Sequence, residues 1–157
     1  MLKTKKAFTM VELVFVIVVL GILAIIAIPK LMGTRDDARV VKLVGAIQTI
    51  QSELVSGIIA STKIPQNREE IEAISNTISE VSPDFAIAVI NGKTIQFIDT
   101  DHGAEICKIL TINDTNISRV TLDFTDGNGT SSICAGVQAL IPNTNSGFII
   151  AGNLVIY

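Results

Sequence analysis

Residues 8–28 read FTMVELVFVIVVLGILAIIAI, and Pro29 and Lys30 follow directly. As a helix rising about 1.5 Å per residue, this run is about 32 Å long, which matches a hydrocarbon core of about 30 Å. Many of its residues are β-branched, but an isolated segment in lipid satisfies its backbone hydrogen bonds only as a helix. The run therefore predicts a transmembrane helix over residues 8–29.

The charges at the start of the chain predict its orientation. Lys3, Lys5 and Lys6 precede the apolar run, and such lysines stay on the cytoplasmic side, so everything after Lys30 is expected to be exported. Glu12 is an acid inside the run. Its cost of about 2.5–3.5 kcal/mol at the bilayer centre is lower near the edge, and Leu, Ile, Val and Phe each offset about 0.5 kcal/mol. An ionisable residue in such a segment indicates a function with a definite partner.

A second pattern follows the apolar run. Residues 31–60 repeat apolar side chains every three or four positions, which is typical of a helix with one face on a core. These positions are Val40, Leu43, Val44, Ile47, Ile50, Leu54 and Ile58. Pro29 lacks a backbone donor and crowds the preceding turn, so a kink is predicted there. One long helix is expected over residues 8–62. Its first part is apolar on all sides, and its second part has a single apolar face.

The rest of the chain predicts a small α+β head. Asn67 and Glu70 form a capping pair for a short helix, whose apolar stripe is Ile71, Ile74, Ile78 and Val81. Residues 85–90 and 93–98 flank Asn91-Gly92, which predicts a hairpin with a two-residue type I′ turn. Further strands are predicted at 105–112, 117–124, 132–140, 148–151 and 154–157, with a loop at 125–130. The fold class is therefore α+β, with the long helix packed on a small antiparallel sheet within an exported head, residues 63–157.

Two simpler interpretations of the N-terminus account for less. A secretory signal peptide should end in a small-x-small site, but the candidate sites ending at Ala24 and Ala27 have Ile22 and Ile25 as their first residues, which are not small. An ordinary single-span anchor explains length and orientation, but it gives no reason for Glu12 or for the amphipathic continuation.

The string Lys5-Lys6-Ala7-Phe8-Thr9-Met10-Val11-Glu12-Leu13, with the apolar run ending at Pro29, resembles the N-terminal signature of type IV pilins and type II secretion pseudopilins. In that family a prepilin peptidase cuts just before the Phe and methylates the new amino terminus. The resemblance implies a cytoplasmic leader at residues 1–7, cleavage between Ala7 and Phe8, and N-methylation of Phe8. The family usually has Gly before the cut, where this chain has Ala7.

The resemblance also gives Glu12 a partner. An amino terminus released at Phe8 is a cation at about the depth of the Glu12 carboxylate, and the two groups on neighbouring subunits offset each other's desolvation. Glu12 and Pro29 are the expected assembly residues. The implied partners are prepilin peptidase, further copies of the subunit in a homopolymer, and an inner-membrane assembly platform. The implied location is the bacterial inner membrane, single-pass, with the N-terminus cytoplasmic and the head periplasmic, and then the filament.

The head offers few other sites. Cys107 and Cys134 allow either a disulfide or two buried thiols, and the resemblance implies the disulfide, as in many pilins. Residues 99–103 and 123–128 are rich in oxygen ligands, but turn chemistry explains them better than calcium, and no metal site is predicted. Asn113, Asn116 and Asn128 begin possible glycosylation triplets.

The functional prediction is a structural subunit. The single histidine, His102, and the lack of a catalytic motif argue against an anchored periplasmic enzyme, and no cofactor is expected. A net charge of −3 without a basic block indicates no nucleic-acid partner. The expected function is a subunit of a type IV pilus or of a type II secretion or DNA-uptake pseudopilus, and these stay open alternatives. The alternative from another class is a membrane-anchored periplasmic binding module that does not polymerise.

Overall fold

The computed structural model describes residues 8–61, 63–79, 82–116, 119–144 and 147–152. The chain forms two compact units, residues 1–36 and residues 37–157. The predicted leader at residues 1–7 and the predicted strand at 154–157 lie outside the described residues.

Helix α1, Met10–Ser61, provides the described structure of the first unit. Its window Met10–Ala27 has a mean hydropathy of 3.0, and none of it is buried within the protein. This is the long apolar N-terminal helix that the sequence predicts. The helix continues through Pro29, and the kink expected there stays a prediction.

The second half of α1 supplies one wall of the head's core. The predicted stripe is buried from Val40 to Ile58, except that Val44 is half-buried, and Ile47, Ile50 and Leu54 are fully covered. Gly57 lies against Ile74 of the next helix, because a Cβ at position 57 would collide with the Ile74 side chain. The helical period thus turns one face of α1 into the core of the second unit.

The sheet supplies the other wall. It has five antiparallel strands in chain order, so that each strand pairs with the next. The strands are β1 Phe85–Ile90, β2 Thr94–Asp99, β3 Glu105–Asn116, β4 Arg119–Asp126 and β5 Phe148–Gly152. Their buried alternate residues join the α1 stripe in one hydrophobic cluster, including Phe97, Leu110 and Leu122. The predicted α+β fold class is confirmed.

The β1–β2 turn is almost the predicted one. Asn91 and Gly92 have φ angles of 52° and 68°, as the two central residues of a type I′ turn require. Ile90 pairs with Thr94, however, so Lys93 lies outside the ladder and the connection has three residues. The strand predicted to begin at residue 93 begins at Thr94.

The largest error concerns residues 132–140, which were predicted to be a strand and form helix α3, Ser132–Leu140. The Ser131 hydroxyl accepts a hydrogen bond from the Cys134 amide at 3.2 Å and caps this helix. The buried residues Ile133, Cys134 and Val137 follow a helical spacing. β4 also reaches Asp126, into the predicted loop, because residues 125 and 126 pair with Ile109 and Lys108.

The short helix α2, Arg68–Ile74, is capped by Asn67 as predicted. The Asn67 side chain accepts from the Glu70 amide at 2.9 Å, while the Glu70 carboxylate accepts from the Gln66 amide at 2.7 Å, one residue before the expected donor. The helix stops earlier than predicted. Ile78 belongs to a separate 3₁₀ turn, Thr77–Ser79, and Val81 lies outside the described residues.

Candidate assembly site and the chemistry of the head

The first turn of α1 contains the candidate assembly acid. The Thr9 hydroxyl accepts a hydrogen bond from the Glu12 amide at 3.3 Å, and the Thr9 carbonyl accepts from the Leu13 amide at 3.2 Å. Thr9 is therefore the N-cap of the helix, and Glu12 lies in its first turn, where a carboxylate interacts favourably with the helix dipole. The role of Thr9 was not predicted, although the spacing of Thr9 and Glu12 matches a capping box.

The predicted N-terminal site residues occupy the exposed start of this helix. Phe8 and Glu12 are both exposed, as are Met10 and Val11 beside them. Ala7 and the side chain of Pro29 lie outside the described part of the structure. Cleavage at Ala7, methylation at Phe8, and the assembly roles of Glu12 and Pro29 therefore stay predictions.

The two cysteines form the predicted disulfide. Cys107 of β3 and Cys134 of α3 are bonded, with a Cα–Cα distance of 4.4 Å. Gly129 lies against this bond, because a Cβ there would collide with the Cys134 sulfur. The disulfide attaches α3 to the middle strand of the sheet.

A bulge in β3 explains why two neighbouring residues are both fully buried. Phe97 of β2 pairs with Lys108, whereas Ile98 pairs with Ile106, so Cys107 is the extra residue on β3. The bulge breaks the usual alternation of a strand. Cys107 can therefore reach α3 while Lys108 lies in the same row as the core residues Leu110 and Ile112.

The buried Lys108 amine lies within a compact polar cluster, which we call the Lys108 cluster: Lys108, Asp126 and Asn143. The amine donates to a carboxylate oxygen of Asp126 at 2.6 Å, to the side-chain oxygen of Asn143 at 2.8 Å and to the carbonyl of Ile141 at 2.5 Å. The Asn143 amide nitrogen donates to the other Asp126 oxygen at 2.7 Å. The hydrogen bond from Lys108 is the main cause that lowers the pKa of Asp126.

Sequence reasoning did not find this cluster. The available signal was a lysine at position 108, two residues before Leu110 and four before Ile112, in a row that alternation directs to the core. A charged group at such a position needs hydrogen-bonding partners. Which residues supply them depends on the position of α3, and residues 132–140 were predicted to be a strand.

The oxygen-rich loops use their oxygens within the fold. Asp99 is buried, and its carboxylate accepts from the Asp101 amide at 3.0 Å and from the Ser131 hydroxyl at 3.0 Å. Glu105 accepts from the amides of Thr130 and Ser131, both at 2.8 Å, and these bonds lower the pKa of Glu105. Turn and capping hydrogen bonds thus account for these acids. No group of three or more potential metal ligands occurs among the described residues.

The predicted glycosylation triplets differ in their surroundings. Asn128 is exposed in the loop after β4, whereas the Asn113 amide donates to Asp123 on the neighbouring strand. The side chain of Asn116 lies outside the described ones. Modification at these residues stays a prediction.

This chain is similar to known secretion and fimbrial proteins. A family model described as "Prokaryotic N-terminal methylation motif" matches residues 2–28. The type II secretion system core protein G of Klebsiella michiganensis is 32% identical over 72 residues, which are 46% of this chain and 51% of that protein. Core protein G of Pseudomonas aeruginosa is 31% identical over 72 residues, with the same two shares.

A fimbrial protein of Pseudomonas aeruginosa is 28% identical over 107 residues, which are 63% of this chain and 70% of that protein. The matches to the two core G proteins span only about half of each relative's length. No solved structure matches the chain.

Proposed function

We propose that this chain, which belongs to the type IV pilin and type II secretion pseudopilin family, is a structural subunit that polymerises from the inner membrane into a filament. One observation carries the proposal: residues 2–28, which match the methylation motif, include an apolar helical window, Met10–Ala27, of which nothing is buried within the protein. Such a surface needs lipid before assembly and neighbouring helices afterwards. The relatives named core protein G favour a type II secretion pseudopilus, and the fimbrial relative favours a type IV pilus.

Processing by prepilin peptidase is the first step of this proposal. Cleavage between Ala7 and Phe8 would make Thr9, the N-cap of α1, the second residue of the mature chain. The new amino group, methylated on Phe8, would then lie next to the first turn that contains Glu12. The test is mass spectrometry of the protein from cells with and without the peptidase. An intact Met1 end in both would rule out the proposal.

Assembly depends on Glu12. A lone carboxylate in lipid is costly, and the amino terminus of a neighbouring subunit would offset that cost only at one axial offset between the subunits. Pro29 lies at the end of the proposed span and would mark the end of the helical segment that packs against neighbouring subunits.

The Glu12→Ala variant should insert in the membrane normally and form no filaments. Asp37→Asn is the matched control, because Asp37 is another exposed acid of α1 outside the apolar window, and it should assemble normally. Electron microscopy counts the filaments, and membrane fractionation checks insertion. Normal filaments from Glu12→Ala would show that the acid does not set the register.

The orientation follows from Lys3, Lys5 and Lys6, which would stay cytoplasmic and leave the head in the periplasm. The inner-membrane assembly platform is then the partner that takes up subunits from the lipid. Protease added to spheroplasts should digest the head, and protection of the head there would contradict this orientation.

A membrane-anchored binding module that does not polymerise is the alternative, and one swap separates it from the proposal. Residues 8–28 are replaced by an unrelated apolar span of equal length. A filament subunit should lose its function, whereas a tethered module should keep it. Neither role is enzymatic.

A further inference from the structure

The Lys108 cluster differs from an ordinary ion pair because an amide contacts both of its charged groups. The amine and the carboxylate are 2.6 Å apart, which alone would make a salt bridge. In addition, the Asn143 oxygen lies 2.8 Å from the amine, and the Asn143 nitrogen lies 2.7 Å from the carboxylate. A nucleophile, a proton carrier and an amide with a leaving nitrogen are therefore in mutual contact.

The hydrogen bonds fix the orientation of the Asn143 amide. Rotating it by half a turn would place its NH₂ group against the Lys108 amine, donor to donor, and its oxygen against the Asp126 carboxylate, acceptor to acceptor. In the observed orientation, the carbonyl carbon lies one C=O bond, about 1.23 Å, from the oxygen that the amine contacts. The amine is thus held next to the carbon that it would attack.

The backbone keeps these groups in place. Lys108 and Asp126 are cross-strand partners in the β3–β4 ladder, so their side chains start on the same face of the sheet. The Lys108 side chain is completely buried, and its three donors are directed at Asp126, Asn143 and the Ile141 carbonyl. The amine consequently has few other conformations to adopt and is itself shielded from water, whereas Asp126 and Asn143 are exposed on their outer sides.

We propose that Lys108 and Asn143 form an intramolecular isopeptide bond, with Asp126 as the proton carrier. The lowered pKa of Asp126 favours the ion pair, so the reaction begins with an uphill step in which the Asp126 carboxylate accepts one proton from the Lys108 ammonium. The nitrogen lone pair of the neutral amine then forms a bond to the Asn143 carbonyl carbon. Asp126 passes its proton to the amide nitrogen and takes up a second proton from the Lys108 nitrogen. The old carbon–nitrogen bond then breaks with its electron pair on the leaving nitrogen, and ammonia departs with the second proton as ammonium.

This reaction needs no oxidant, cofactor or second protein, and it does not depend on whether the chain polymerises. The new bond joins residues 35 positions apart, from β3 to the segment after α3. The disulfide joins residues 27 positions apart in the same part of the head. The head would therefore keep a covalent closure of this region under reducing conditions, where the disulfide is lost.

Trypsin digestion of the full-length, detergent-extracted protein tests the bond. After reduction and alkylation, an unlinked chain yields residues 94–108, 109–119 and 120–157 as separate peptides, because no Lys or Arg follows residue 119. The isopeptide bond blocks cleavage after Lys108. It should leave residues 94–119 joined to residues 120–157 in one species, lighter by one ammonia than the two peptides together.

Variants assign the roles. Asn143→Ala and Asp126→Ala should each restore the separate peptides, whereas the control Lys42→Met, which breaks another Lys–Asp pair, should keep the linked species. Protection of Cys107 and Cys134 from alkylation before reduction reports correct folding in each sample. Separate peptides from wild-type protein with an intact disulfide overturn the proposal. A linked species from folded Asp126→Ala overturns the role of Asp126.

Discussion

The two halves of α1, which we call the anchor half (Met10–Ala27) and the head half (Gly33–Ser61), differ in sequence and in surroundings, and their mean hydropathies are 3.0 and 1.3. Between Met10 and Ala27 the helix is apolar on every side, and none of it is buried. Between Val40 and Ile58 only one stripe is apolar, and that stripe is covered by the head. Burial stabilises by about 25 cal/mol per Å² of apolar surface, so the buried stripe of the second half stabilises the fold of a single chain. The first half can be buried only in lipid or against other subunits.

The acids of the same helix show the same contrast. The Glu53 carboxylate accepts hydrogen bonds from the Ser75 hydroxyl at 2.5 Å and from the Thr77 hydroxyl at 3.2 Å. It thereby joins the head half of α1 to the 3₁₀ turn after α2. Among the described residues, the Glu12 carboxylate has no hydrogen-bond partner of this kind. Glu53 in the head half is thus hydrogen-bonded within its own chain. Glu12 in the anchor half is not, among the described residues.

Truncating one leucine in each half gives the largest expected difference. Leu54 is fully buried, so Leu54→Ala should lower the free energy of unfolding of the head by about 2–5 kcal/mol. Leu20 is 58% exposed, and Leu20→Ala should leave head stability unchanged. Urea titration of the detergent-extracted protein, followed by pulse proteolysis, measures both. Equal losses would show that the halves are not energetically separate.

Removing the disulfide should lower the free energy of unfolding of the head by a similar or smaller amount than Leu54→Ala, with no effect on the anchor half. The Cys107→Ser/Cys134→Ser variant opens a loop with a sequence separation of 27, and chain entropy predicts a loss of about 3.5 kcal/mol. Insertion of the anchor half in the membrane should be the same in this variant as in the wild type. The loss should be larger in an Asn143→Ala background, where the proposed isopeptide bond cannot close an overlapping loop. Identical losses in both backgrounds would argue against a second covalent closure.

The contrast within α1 could be predicted from the sequence because it depends on local periodicity. The stripe from Val40 to Ile58 and the length of residues 8–28 each follow from one rule of spacing or hydropathy. The Asn91-Gly92 turn and the Asn67 cap likewise depend on a few neighbouring residues. These predictions are confirmed apart from shifts of one or two residues at their ends.

The errors concern features that depend on distant contacts. Residues 132–140 are apolar enough for either a strand or a helix, and the signal that decides is Ser131, whose hydroxyl caps the helix. Gly136 allows α3 to lie close to Val40, a contact that no local pattern reveals. The Lys108 cluster follows from that placement, since Asn143 comes just after α3. The site was missed because the helix was missed.

Removing the helix caps of the two halves should have smaller effects. Asn67→Ala removes the acceptor for the Glu70 amide and should cost the head about 1 kcal/mol. Thr9→Ala removes the corresponding acceptor for the Glu12 amide and should leave head stability unchanged. The same urea titration measures both variants. A loss in head stability from Thr9→Ala would show that the start of α1 is coupled to the head.

Acid titration gives the smallest effect, and it too should act on the head. The hydrogen bond from Lys93 is the main cause that lowers the pKa of Asp114 below the ordinary value of 3.8. At pH values between this lowered pKa and the ordinary value, the folded head therefore binds fewer protons than the unfolded chain. The stability from this pair is fully present above the ordinary value and is lost as the pH falls through the lower pKa of the folded state.

The Asp114→Asn variant should therefore show a weaker loss of stability than the wild type when the pH is lowered from about 6 to about 3. Asp126 and Glu105, whose pKa values are also lowered, remain in both proteins, so the difference reports the Asp114 pair alone. Urea midpoints at the two pH values give the measurement. Since Asp114 and Lys93 are each about one-third exposed, solvent screens the pair and the difference should be small. A wild type that became more stable on acidification would contradict the sign of this linkage.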